Sequence, residues 1–141
     1  MSRIFFDTNL FIYMIEETGR RALRVRDLLE RMSERRDQLV TSSLTLGEVL
    51  TKPYGAKNLA LAERYEALLN SPGVSVVPFD LAAARAYAQL RNDKTIKAPD
   101  AIQLACAAAA GCDLFITNDD RLTRKVVPGV QFIASLERAV V

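Results

Sequence analysis

Arg3-Ile4-Phe5-Phe6-Asp7-Thr8-Asn9 carries a short apolar run straight into a carboxylate. Uninterrupted apolar runs of this kind belong to central strands of parallel sheets, which are buried on both faces. Asp7 stands where the run stops, and Thr8 and Asn9 favour turns and helix caps. In open α/β sheets, ligands bind in the crevice beyond the carboxyl ends of the strands. Asp7 is therefore a candidate functional acid, although read alone it is better explained as a helix N-cap.

Working outward, strand and helix patterns alternate. Leu10 to Ile15 reads as a short helix packed on the sheet. Ala22, Val25, Leu28, Leu29 and Met32 recur at helical spacing, with Asp27 and Arg31 placed for an i,i+4 pair. Gln38 to Thr41 reads as a second strand. Ser42 to Leu50 opens the next helix, which Pro53 is expected to end. Leu59 to Leu69 forms another, with Asn58 as its cap. Val74 to Phe79 is a third strand, with Pro78 marking its end or a sheet edge. Asp80 caps a helix to about Arg91, and Pro99 starts one that stops at Gly111. Asp113 to Thr117 is the fourth strand, Val130 to Ile133 the last, and a short terminal helix follows. The alternation predicts an α/β fold, a mainly parallel sheet flanked by helices on both faces, in one domain spanning 1–141.

Composition removes several chemistries. The chain has no histidine, so no His-based triad, histidine acid–base pair or HExxH site can be built. Its 2 cysteines are too few for a zinc site without histidine; Cys106 reads as a small core residue. No apolar run approaches a membrane span, and no signal-peptide pattern is present. A cytoplasmic protein is expected. The net charge of +2 is too small to argue for nucleic acid by itself.

Three more acids fall where Asp7 falls. Glu48 lies early in the helix after strand two, Asp100 in the first turn after Pro99, and Asp119 just beyond strand four. In a parallel sheet these positions share one end. Each has a structural alternative: a capping box Thr45-Leu46-Gly47-Glu48, a helix-dipole partner at Asp100, and a cap at Asp119 or Asp120. Together, four clustered carboxylates repel one another unless a cation sits among them. All-oxygen ligation without histidine points to Mg²⁺, or Mn²⁺, and such a metal suits phosphate chemistry. Thr8 and Thr117 add hydroxyls.

The ordered set Phe6-Asp7-Thr8-Asn9, Leu46-Gly47-Glu48, Pro99-Asp100-Ala101 and Ile116-Thr117-Asn118-Asp119 resembles the PIN-domain nucleases. Within that family it looks most like the VapC-type toxins of toxin–antitoxin pairs, over about Arg3 to Ile133. The resemblance implies a magnesium-dependent endoribonuclease, a homodimer inhibited by a cognate antitoxin, that leaves a 5′-phosphate and a 3′-hydroxyl. It implies that Asp7, Glu48, Asp100 and Asp119 are catalytic. Asp7 and Asp100 would chiefly bind the metal with Asp119 beside them, and Glu48 would help orient metal and water. Asp119 rather than Asp120 matches the family's Thr-x-Asp, and Leu122 replaces an aromatic found in many relatives.

An acidic site needs basic residues on its rim to hold an RNA backbone. Lys94 and Lys97, just before the Asp100 helix, are better placed than Arg20, Arg21 and Arg24. Two other readings stay open: a catalytically silent PIN-like binding module, and a phospho-accepting receiver domain. Asp80 could serve as a receiver's acceptor, but the adjacent acidic pair after strand one and the lysine of the last strand are missing.

Overall fold

A computed structural model describes the whole chain, Met1–Val141. Five strands form one sheet: β1 (Arg3–Phe6), β2 (Gln38–Ser42), β3 (Val74–Val77), β4 (Leu114–Thr117) and β5 (Phe132–Ser135). Their order is β3-β2-β1-β4-β5 and every pairing is parallel. The crossovers are α1 (Thr8–Glu16), α2 (Arg20–Arg35), α3 (Ser43–Gly55), α4 (Leu59–Leu69), α5 (Leu81–Leu90) and α6 (Ala98–Ala109). No helix is long and apolar enough to cross a membrane.

The apolar run of β1 is buried on both sides because strand side chains alternate. Ile4 and Phe6 face a core built with Leu10 and Phe11 of α1, Val25 and Leu28 of α2, Val49 of α3 and Tyr65 of α4. Phe5 faces the opposite core with Val40, Phe115, Ala83 of α5 and Leu104 of α6. Phe5 pairs in register with Phe115, and their rings stack with centroids 5.0 Å apart. The chain leaves β1 on one side for β2 and β3, then returns on the other for β4 and β5. The strand order therefore reverses between β1 and β4, and such a reversal opens a crevice at the carboxyl ends.

Local expectations hold at several ends. Asp80 accepts from the Ala83 N–H at 2.9 Å and Asn58 from the Leu61 N–H at 3.2 Å. Gly111 follows α6 with φ +67°, the left-handed geometry of a helix C′ position. Asp27 and Arg31 pair at 3.3 Å. β3 is an edge strand, as Pro78 suggests.

Four local readings are corrected. Pro53 does not end α3, which continues to Gly55 with the proline ring buried. The last strand lies two residues later than Val130 to Ile133, because its register on β4 pairs Leu114 with Phe132 and Thr117 with Ser135. Val130 serves the core from the loop instead. No terminal helix forms. After Ser135 the chain makes a turn, held by Arg24, which donates to the Leu136 carbonyl at 3.2 Å and to the Ala139 carbonyl at 2.6 Å. The capping box also fails. The helix starts at Ser43, so Thr45 is already inside it and Glu48 lies past its first turn.

Candidate active site at the carboxyl end of the sheet

Asp7 does more than cap a helix. It is the N-cap of α1, its Oδ1 accepting from the Thr8 N–H at 2.9 Å. Its other oxygen, Oδ2, accepts from the Thr117 hydroxyl at the end of β4, 2.8 Å away. This contact ties the two strands that flank the switch point. Burial raises the Asp7 carboxyl above the ordinary aspartate range, the bonds from Thr117 and Thr8 oppose that, and the charges of Glu48 and Asp119 add to it.

Asp100 stands in the first turn of α6. Burial raises its carboxyl, and the charges of Asp7 and Asp119 raise it further. Asp119 differs. Its carboxyl is held below the ordinary range, chiefly by hydrogen bonds from Arg121. Glu48 is exposed on α3 and accepts the Thr8 hydroxyl at 2.6 Å. All four acids thus reach one end of the sheet, brought there by β1, α3, α6 and β4. They do not close on a point: no three acidic side chains are arranged to hold a metal ion as they stand. Both oxygens of the Asp119 carboxylate are engaged by Arg121.

The neighbouring acids separate cleanly. Asp119 lines an open cleft of about 520 Å³ together with Asp100, while Asp120 lines a different one with Ser135 and Arg138. The cleft of Asp100 and Asp119 is rimmed by Lys94, Lys97, Arg121, Arg124 and Lys125. Lys94 and Lys97 are therefore at the acids, as their loop suggested. Arg21 and Arg24 have other work. Arg21 pairs with Glu17 at 2.7 Å and lies over the Tyr13 ring, and Arg24 ties down the chain after β5.

Sequence reasoning missed a layer of polar residues beneath the acids. Gln103 of α6 is 2% exposed, and its Nε2 donates to the hydroxyls of Thr8 at 3.0 Å and Thr45 at 2.8 Å. Its Oε1 accepts from the Ser42 hydroxyl. Thr41, also fully buried, bonds to the Phe6 carbonyl at 3.0 Å and to Thr45 at 2.8 Å. The available signal was Gln103 itself, an amide among Ala101, Ile102, Leu104 and Ala105 in a helix that is otherwise apolar at that level. Arg121, Arg124 and Lys125 were missed as rim residues because they follow Asp119 in a short connection, with a single 3-10 turn at Leu122–Arg124, too brief to show periodicity. The thiols of Cys106 and Cys112 are buried and pushed up to about 11, as suits inert core residues.

The donors fit a hard divalent cation. They are oxygens only, and Asp7 and Asp100 carry raised carboxyls partly because like charges crowd them. A cation reverses that second effect.

A family model described as PIN domain matches residues 4–127. Among solved structures, the chain is similar to the VapBC2 structure from Rickettsia felis, bound to a DNA fragment from its promoter. The TM-score is 0.70 at 18% identity, over 94% of this chain and 98% of that one. It is also similar to a toxin–antitoxin complex from Klebsiella pneumoniae, with a TM-score of 0.66 and 27% identity over 90% of this chain and 94% of that one. A third similarity is to FitAcB from Neisseria gonorrhoeae, with a TM-score of 0.66 and 28% identity over 82% and 87% of the two chains. No curated protein matches the chain significantly.

Proposed function

The chain belongs to the PIN-domain family, and from that premise we propose that it is a divalent-metal-dependent endoribonuclease, the toxin of a VapBC-like toxin–antitoxin pair. The observation that carries the reading is four carboxylates at one end of the sheet, two of them lining a basic cleft. Asp7, Glu48, Asp100 and Asp119 come from four separate elements, and Asp100 and Asp119 open into a cleft rimmed by five lysines and arginines. Acids alone repel a phosphodiester backbone, and bases alone only bind it. The two together suit a polyanion that is to be cut.

In this reading Asp7, Asp100 and Asp119 hold Mg²⁺, or Mn²⁺, and Glu48 completes the acidic face. The ion supplies charge neutralisation at the phosphate and a nucleophilic water at neutral pH. The protein's part is positional. Thr117 and the Thr8 N–H fix the Asp7 carboxylate between β1 and α1. The Thr8 hydroxyl holds Glu48. Lys94, Lys97 and Arg124 neutralise backbone charge on either side of the bond to be broken, and the ends of that bond become a 5′-phosphate and a 3′-hydroxyl. Arg121 competes with any cation for the Asp119 carboxylate.

The partner in the proposal is a cognate antitoxin. It is supported by structural similarity to a toxin–antitoxin complex at 27% identity. A homodimer, a single domain over 1–141 and a cytoplasmic location belong to the same reading. One observation favours a second reading, a silent PIN-like binding module: no three acids are arranged to hold an ion as they stand.

Cleavage of a fluorescent single-stranded RNA by wild type and by Asp100→Asn, with Mg²⁺ or with EDTA, separates the two. Metal-dependent cleavage that is lost in the variant supports the nuclease. Absence of cleavage of both this substrate and total cellular RNA by folded wild type in Mg²⁺ supports the silent module.

A further inference from the structure

We infer that Gln103 is a positioning residue that orders the Thr8 hydroxyl so that its single proton points at Glu48. The inference rests on the nuclease reading for its consequence, but its geometry stands without it.

The argument is a count of protons. An ionised carboxylate only accepts, so the short contact of 2.6 Å between Thr8 Oγ1 and Glu48 Oε1 uses the one hydrogen that Thr8 owns. Thr8 Oγ1 can then only accept from its other neighbours. Gln103 Nε2, 3.0 Å away, meets that need as a donor. The same nitrogen spends its second hydrogen on Thr45 Oγ1 at 2.8 Å. Its carbonyl faces Ser42, whose hydroxyl donates to it. Every polar atom of the Gln103 side chain is therefore matched, and the amide has one orientation that satisfies its neighbours and the carboxylate together.

The placement is as telling as the count. Gln103 is 2% exposed and touches neither the cleft nor solvent. It reaches from α6, the helix that carries Asp100, to β2 and α3, which lead to Glu48, and to the first residue of α1, which follows Asp7. One side chain thus braces the segments that bring three of the four acids. A leucine would satisfy the core equally well if packing were the only demand. A buried amide is retained at a cost unless all its partners are present.

The test is a double-mutant cycle between Gln103→Met and Thr8→Val, both close in shape to the residues they replace. If Gln103 acts through Thr8, each single variant and the double variant lose kcat for RNA cleavage by the same factor. Residues that orient ligands indirectly typically change activity roughly 10- to 100-fold, and KM stays within about twofold because neither residue meets substrate. Losses that multiply in the double variant overturn the inference, as does a rise in KM with kcat kept.

A second readout needs no activity. The side-chain carboxyl ¹³C resonance of Glu48, followed at one pH without metal, should move in the same direction in Gln103→Met and Thr8→Val. An unmoved resonance in Gln103→Met overturns the inference even if the protein proves to be no nuclease. Should Gln103→Met fail to fold, Ser42→Ala, which removes only the hydroxyl that anchors the amide, takes its place in both measurements.

Discussion

Arg121 closes on both oxygens of Asp119, its Nε 3.1 Å from Oδ1 and its Nη2 2.8 Å from Oδ2. The backbone N–H of Arg121 adds a third bond to Oδ1 at 3.0 Å. Two residues in one tight loop therefore form a self-contained ion pair at the mouth of the acidic cleft, and this pair competes with any cation for Asp119. Arg121→Gln should bind Mn²⁺ severalfold more tightly in calorimetry while binding RNA more weakly. The Asp119 carboxyl should return upward toward the ordinary aspartate value in an NMR titration. A folded carboxyl held low contributes stability above its unfolded value and loses it as pH falls through the folded one. The cost of removing Arg121 therefore shrinks as pH falls through the lowered folded value of Asp119, and vanishes once that carboxyl is protonated in the fold as well.

Asp7→Asn should abolish cleavage yet stabilise the metal-free protein at neutral pH. The Asp7 carboxyl is raised in the fold, chiefly by burial, so the folded chain holds that proton more tightly than the unfolded chain does. Stability from this group is present below the unfolded value of 3.8 and falls as pH rises to the raised folded value. The deficit grows as pH rises through that raised value, and the neutral amide removes it. A rise in Tm of roughly 2–4 °C at pH 7.5 in EDTA corresponds to about 1 kcal/mol in a domain of this size. The gain should shrink toward pH 4. A lower Tm for the variant at pH 7.5 would show that the bonds from Thr8 and Thr117 outweigh burial.

Metal should act as a stabilising ligand of wild type. Ligand at 100 times its Kd adds about 2.7 kcal/mol, so a thermal scan in excess Mn²⁺ should rise by several degrees and fall back with EDTA. Asp100→Asn, with one of the crowded carboxylates gone, should show little of this rise. Equal shifts in the two proteins would place the ion elsewhere.

Lys94 and Lys97 should contribute through charge alone. Each phosphate contact on a single strand adds about 0.7 to the magnitude of the slope of log K against log[salt]. Lys94→Ala and Lys97→Ala should each lower the slope by about that amount, uniformly across RNA sequences. Arg20→Ala, away from the cleft lining, should leave it unchanged.

The stacked pair across β1 and β4 sets the stability of the sheet centre. Phe115 is fully buried against Phe5, and Phe115→Ala should cost about 3–5 kcal/mol in urea unfolding.

Much of this was legible in the sequence because the governing signals are local. The Ile4-Phe5-Phe6 run, the Asp80 and Asn58 caps and the turn at Gly111 each depend on a few adjacent residues. The four acids were legible because the parallel topology converts position after a strand into position in space. What stayed hidden depends on long-range register. β5 starts at Phe132 because β4 dictates its pairing, and Gln103 meets Thr8, Thr45 and Ser42 only once α6 lies over β2. The capping-box alternative at Thr45 arose because its pattern with Glu48 is the same in a capping box and in a helix interior. Arg121 was overlooked because its partner is two residues away in a loop, where no periodicity points to it.

The position of β1 has a consequence for how the molecule is made. It precedes the other four strands in the sheet, yet one of its two neighbours arrives only with Leu114–Thr117. The Arg3 N–H finds the Asp113 carboxylate across a separation of 110 residues, and closures of that length make folding slow. Until β4 emerges, Ile4-Phe5-Phe6 presents an unpaired edge, and Asp7 lacks the Thr117 hydroxyl that holds it. A chain truncated anywhere before β4 has no second wall to its crevice. The acidic face is therefore completed only after most of the chain is made, when β4 pairs beside β1 and Thr117 reaches Asp7.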